Sequence, residues 1–253
     1  MVLTLDNMGE AADLERNLWP DSSTPVGHHY SVTEILPHFL AILAKHDVCV
    51  TYFIESWNLA VYPSTIREII SAGHEIGWHA WRHEAWSKIG SEEQERANFA
   101  RSFGGEGLRG FVNNSKPGEA IIDSYKGFRP PSGMIYGQRT LGICKEYGLK
   151  YISPAGQNAA VVPLQNNQDS MVILPFRWTT VDAFYYMETF SKLREMKGES
   201  EKPQSEQSLT QKIIAQIDEG IVRGGYLSIL FHPFLSNSPE RLQAFETVVA
   251  YLA

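Results

Sequence analysis

The stretch GHEIGWHAWRHE, residues 73–84, decides how this chain reads. Ile76–Trp78 is a short apolar run with the character of a buried strand, and two histidines, His79 and His83, follow it four residues apart. If the backbone curls into a helical turn past the strand end, both imidazoles can turn toward one point, where a divalent cation is the natural occupant. With eight histidines in the chain, such a pair can also arise by chance. Its meaning depends on what the other strands carry at their ends.

Toward the N-terminus, Val2–Leu5 is a β-rich run ending at Asp6-Asn7. A polar, turn-rich segment follows through His29, with Trp19, Pro20, Pro25 and Gly27; a long loop at that position is often functional. Ser31 and Glu34 predict a capping box on a helix whose apolar face is Ile35, Phe39, Leu40 and Leu43. Val48–Ile54 reads as a strand, and Pro63 opens a helix that Gly73 ends.

Toward the C-terminus, Ser91 starts a charged, solvated helix, and glycines 104, 105, 107 and 110 predict an irregular insertion over 104–124. Tyr125–Arg129 is a strand ending in Pro130-Pro131, and Gly137–Tyr147 a helix. Lys150–Ser153, Val161–Leu164 and Met171–Phe176 read as strands, and Asp182–Met196 as a helix. Glu199–Ser208 reads as a mobile surface loop and Leu209–Val222 as an amphipathic helix. Tyr226–Phe231 is a final strand ending at His232-Pro233, and Ser238 caps the last helix.

Strand and helix therefore alternate along the whole chain, which predicts parallel strands with helices outside. No composition break marks a boundary, so residues 1–253 are expected to form a single α/β domain, a distorted barrel of the (β/α)7 type. The barrel is preferred to an open sheet because polar residues follow nearly every strand, and in a barrel those ends meet on one face. Asp6 follows the first strand, His79 and His83 the third, Arg129 the next; Asp182 lies a few residues past Phe176, and His232 follows the last. Together they suggest a hydrolytic metal site.

Composition excludes other classes. The chain is 43% hydrophobic and 20% charged with a net charge of -7 and no long basic run, against a nucleic-acid or anionic-membrane surface. Cys49 and Cys144 form no Cys-x-x-Cys pair and read as two small buried hydrophobes. The start MVLTLDN has no basic-then-apolar leader and no 18-residue apolar run occurs, so a soluble, cytoplasmic protein is expected.

In the same order, these strand-end residues resemble the motifs of the polysaccharide deacetylases with the NodB-homology domain, carbohydrate esterase family four. LTLDN at 3–7 is similar to T-F-D-D, His79–His83 to H-[ST]-x-x-H, and Arg129–Gly133 to R-x-P-[FY]-G. Asp182 can stand for the fourth-motif aspartate, and LSILFHP at 227–233 resembles the L-x-x-x-H-P ending. The resemblance implies hydrolysis of a C–N amide bond, deacetylase type, in an N-acetylated amino sugar or related small amide, hence a small-molecule or oligosaccharide substrate. It implies one divalent metal, Zn²⁺ first with Co²⁺ or Ni²⁺ as alternatives. It further implies Asp6 as catalytic base, Arg129 as its orienting partner, His79 and His83 as ligands, and His232 as the acid that Asp182 orients. A backbone N–H near Ser132 would help hold the oxyanion.

Asn7 stands where the family has its second aspartate. Three readings follow. Asp6 is itself the metal ligand, the preferred one; or Asp6 is the base and His79, His83 and Asn7 or water hold the metal weakly; or Glu10 supplies the missing carboxylate. Ala80 and Ser132 also replace family residues, a hydroxyl and an aromatic. His29 and Trp178 are candidates for touching substrate, with Trp78 and Trp81 as further aromatic walls; His28 reads as a solvated loop residue and His74 as structural. Two rival functions remain: a cyclic imide or ureide hydrolase of allantoinase type, and a catalytically impaired binding protein.

Overall fold

The computed structural model describes residues 1–18, 25–165 and 168–253. Trp19 and Pro20 of the long first loop lie outside the described residues. Eight strands form one sheet: β1 (Val2–Asp6), β2 (Thr51–Ile54), β3 (Glu75–Trp78), β4 (Gly127–Phe128), β5 (Tyr151–Ile152), β6 (Ala160–Pro163), β7 (Ser170–Ile173) and β8 (Ser228–Phe231). Their order is β6-β7-β5-β4-β3-β2-β1-β8. Every pairing is parallel except the β6–β7 hairpin. The expected α/β barrel-like architecture is found, with eight strands rather than about seven, the sheet curling without a complete ladder.

The seam is made by the chain after β7. Phe176 bridges to Ala155 beyond β5, and Val181 then bridges to Leu230 of β8. A segment that leaves one side of the sheet thus reaches its opposite edge. That path brings Asp182 to the C-terminal end of β8.

Parallel strands covered by helices are buried on both faces, so they read as near-continuous apolar runs. Leu3, Leu5, Tyr52, Phe53, Ile54, Ile76, Trp78, Phe128, Ile229, Leu230 and Phe231 are all buried. Trp78 is not a sugar platform. Its ring packs against Trp86, Phe99, Phe103 and Phe128 beneath the helix Glu92–Phe103. One glycine is needed here: a Cβ on Gly77 would sit 2.4 Å from the Phe53 ring, which lies across β3.

Several local expectations hold. Ser91 and Ser238 cap their helices, their hydroxyls accepting from Gln94 N and Arg241 N. Pro63 opens Pro63–Ser71, and Gly73 is left-handed with φ 85°. Others change. Ser31 is no cap, because its hydroxyl bonds the His29 ring at 2.7 Å and the chain makes a π-turn, Ser31–Ile35, before the helix Leu36–Lys45. The helix expected over Asp182–Met196 is broken into Asp182–Tyr186, a 3₁₀ turn and Ser191–Met196. The cause is Arg194: wholly buried, its guanidinium donates to the carbonyls of Phe184, Met187, Ser200 and Glu201. The same contacts tie down the start of the expected mobile loop, and Ser205 caps the helix Glu206–Arg223 inside its range. Cys49 is exposed and lies outside β2, while Cys144 is buried as expected. Among the described residues no helix is long and apolar enough to cross a membrane.

Candidate active site

The C-terminal ends of the strands carry the polar side chains. Asp6 ends β1, Glu55 follows β2, His79 follows β3, Arg129 follows β4, Ser153 follows β5 and His232 follows β8. Three groupings arise there.

The first centres on Arg129, which is buried beneath the rim. Its Nη1 donates to Asp6 Oδ1 and Thr4 Oγ1, both at 2.8 Å. Its Nε and Nη2 donate to Ser153 Oγ, and Nη2 reaches Ser228 Oγ at 3.3 Å. The guanidinium also lies over the Phe53 ring at 4.3 Å. Arg129 is thus held from four strands and holds Asp6. Burial raises the Asp6 pKa, outweighing the opposing charges of Arg129 and His232. Among the described residues no donor reaches Asp6 Oδ2.

The second is Asp182 with His232. Asp182 Oδ1 meets His232 Nδ1 at 2.5 Å, and Oδ2 accepts the His232 backbone N–H at 2.7 Å. Burial alone would lower the His232 pKa, but the Asp182 carboxylate, helped by Asp6, raises it. The second imidazole nitrogen, Nε2, is left for the site.

The third is Glu55, His79 and His83, whose ligand atoms all lie within 4.8 Å of one another. His79 Nδ1 bonds the Arg129 carbonyl oxygen at 2.7 Å, so Nδ1 carries the proton and Nε2 keeps its lone pair. Burial first, then nearby positive charge, pushes the His79 pKa down to about 3 and holds His83 well below the usual histidine range. Both rings are therefore neutral, the state in which histidine binds a metal. His83 and Ala80 have left-handed φ of 72° and 68°. The loop past β3 is thus a tight reversal rather than a helical turn, and it leaves the two rings with centroids 4.9 Å apart.

Glu55 is the residue that the sequence reading missed. It is wholly buried, and burial pushes its pKa up to about 8. Oε2 accepts from Met8 N and Asn58 Nδ2, while Oε1 is buried with no hydrogen-bond partner among the described residues. The signal was available: Glu55 directly follows the apolar run at Val48–Ile54, as Asp6 follows the first run.

The remaining expectations fall as follows. Asp6 does not join the histidine group; Glu55 does. Asn7 has a left-handed φ of 60°, its carbonyl accepts from Tyr52 Oη, and its buried Oδ1 has no partner among the described residues. Glu10 is consumed elsewhere, accepting from Gly27 N and Tyr62 Oη, both at 2.5 Å. The His29 ring is engaged by Ser31 and by Asp13 at 3.4 Å, pinning the first loop. Ser132 is exposed with φ 69°, its hydroxyl turned toward Ser87 at 3.4 Å. Trp178 packs edge-on to Phe176 and against Phe190. Trp81 is buried under the Arg101 guanidinium, His28 is exposed, and His74 is buried where its Nδ1 accepts from Val50 N.

Glu55, His79 and His83 fit a divalent cation. A buried carboxylate oxygen without a donor and two neutral imidazoles supply three ligand atoms, and one glutamate with two histidines is a donor set of catalytic zinc sites.

Residues 23–103 match the family model described as polysaccharide deacetylase. An uncharacterized 30.6 kDa protein of Geobacillus stearothermophilus is 29% identical over 113 residues, 45% of this chain and 38% of that protein. The match thus spans well under half of that relative's length. Among solved structures, a candidate polysaccharide deacetylase from Mycobacterium smegmatis superposes with a TM-score of 0.74 at 22% identity, covering 99% of this chain and 84% of the other. PuuE allantoinase superposes with a TM-score of 0.69 at 17% identity, covering 99% and 83%. At these identities the likeness of the structures is one of fold.

Proposed function

We propose that residues 1–253, which match the polysaccharide deacetylase family model over 23–103, act as one unit that hydrolyses a C–N amide bond in an N-acetylated amino sugar or a related small amide. The observation that carries this reading is the convergence of a Glu-His-His ligand group, a buried Asp6–Arg129 pair and an Asp182–His232 pair on one rim.

Glu55, His79 and His83 hold the metal, Zn²⁺ first and Co²⁺ or Ni²⁺ as alternatives. Such a cation supplies Lewis-acid polarisation of the amide carbonyl and a lower pKa for bound water. The chain's own residues do the proton work. Asp6, ionised and held at Oδ1 by Arg129, accepts the proton of the attacking water through Oδ2. Burial raises its basicity, which favours that transfer. His232, charged by the influence of Asp182, donates from Nε2 to the departing amine. Arg129 is a positioning residue. Its ties to Thr4, Ser153 and Ser228 keep Asp6 from turning away.

Turnover of N-acetylglucosamine oligomers, with and without chelator and alongside elemental analysis, tests the reading. The expected result is deacetylation that chelator abolishes and added metal restores. A chelator-insensitive protein with empty metal analysis would overturn it. Cyclic imides and ureides belong in the same panel, because turnover of those alone would select the cyclic-amide reading. A binding protein without catalysis predicts instead that His232→Ala changes nothing.

A further inference from the structure

Arg16 is the C-cap of the short helix Ala11–Glu15, which follows β1. Its Nη2 lies 3.3 Å from Nδ1 of His83. A guanidinium only donates, and an imidazole has a single lone pair in its neutral form. When one nitrogen of His83 is a ligand, the other carries the proton and cannot accept from Arg16. The contact therefore places Arg16 without satisfying it.

Among the described residues no carboxylate compensates that charge. Among the described residues Arg16 has no ion pair within 4.0 Å, although three acidic residues stand close in the sequence or on the facing loop. Asp13 is taken by His29, and Glu15 by Arg82 at 3.7 Å. Glu84 accepts the backbone N–H groups of Trp81 and Arg82. Arg16 is also near enough for its charge to act on both His79 and His83. In a chain of net charge -7, an exposed guanidinium left unpaired beside a ligand group is a built preference for an anion.

We propose that Arg16 receives a carboxylate on the substrate, so that this rim selects an anionic amide over its neutral counterpart. The inference rests on the amide-hydrolase reading above and names its substrate class. Arg16 touches the part of the substrate that does not react, so it sets specificity through binding.

The test uses two single amides that differ only in charge, N-acetyl-β-alanine and N-propylacetamide. The wild-type protein, metal-loaded, is expected to favour the anionic amide in kcat/KM, less so as salt rises. Arg16→Gln should narrow that preference by about 10- to 100-fold, through KM more than kcat, and Arg16→Lys should keep part of it. Equal kcat/KM for both amides in the wild type, or an unchanged ratio in Arg16→Gln, would overturn the assignment while leaving the hydrolase reading intact. If neither amide is turned over, calorimetric titration with N-acetyl-β-alanine decides. Binding to wild type that Arg16→Gln loses supports the site, and no binding to either overturns it.

Discussion

Among the described residues three glutamates, Glu10, Glu55 and Glu95, are wholly buried, and the surroundings of Glu55 and Glu95 differ. Around Glu95 every oxygen is answered: Oε1 accepts from Trp86 Nε1 and Thr140 Oγ1, and Oε2 from Arg139 Nε. Around Glu55 one oxygen is answered and the other faces two neutral imidazoles with no donor. A buried carboxylate normally has its charge and lone pairs compensated. Glu95 shows that this fold can do so, which makes the deficit at Glu55 informative. The satisfied region is a structural pin between the helices Glu92–Phe103 and Gln138–Glu146. The unsatisfied region is the part of the rim proposed above to hold a cation.

The sharpest way to break this contrast is to neutralise each glutamate. Glu55→Gln should lower metal affinity by roughly 100-fold or more, measured by competition with a chromogenic chelator. The metal-free variant should be about as stable as the metal-free wild type near neutral pH and more stable above about pH 8, where Glu55 would have to ionise in a buried place. Glu95→Gln should do the opposite, leaving metal affinity intact and costing about 2–3 kcal/mol in denaturant unfolding. If both variants lose stability and neither loses metal, the two regions are alike and the ligand assignment fails.

Next in size is Arg129→Met. It leaves Asp6 buried beside Thr4 without its counter-charge, and about 3–5 kcal/mol of stability should go, read as a shift of the unfolding midpoint. A loss under about 1 kcal/mol would mean that the hub does not hold Asp6.

The smallest effect is on pH. The folded His232 pKa lies above its unfolded value of roughly 6.5. Its pairing with Asp182 therefore stabilises the fold fully below that value, and the contribution is lost as pH rises through the folded pKa. Asp182→Asn should flatten this loss in unfolding measured between acid and alkaline pH. It should also move the alkaline limb of kcat/KM to lower pH, since a neutral His232 cannot donate its proton. The acid limb should stay with Asp6, which must lose its proton to act.

The α/β alternation, Asp6, the His79–His83 pair, Arg129 and His232 were legible because each directly follows an apolar run. Residues that end a parallel strand must lie on one rim. Asp182 was legible less directly, as a carboxylate a few residues past Phe176 and as part of an ordered motif set, since its place depends on the Val181–Leu230 bridge. Glu55 obeyed the rule of strand ends and was passed over.

The chain's own residue order thus determined that polar groups would gather where strands end, because hydrophobic burial sets the strands and parallel pairing sets their direction. Which carboxylate joins the histidines was left to tertiary structure. Tyr62 and the backbone of Gly27 take both oxygens of Glu10; Asp6 and Glu55 each keep one oxygen without a donor among the described residues, and of the two it is Glu55 that lies beside His79 and His83. The physical reason is that a carboxylate can share a cation with two imidazoles only where the fold sets its open oxygen beside them, and which strand end lies next to His79 and His83 is decided by the pairing of strands far apart in the chain.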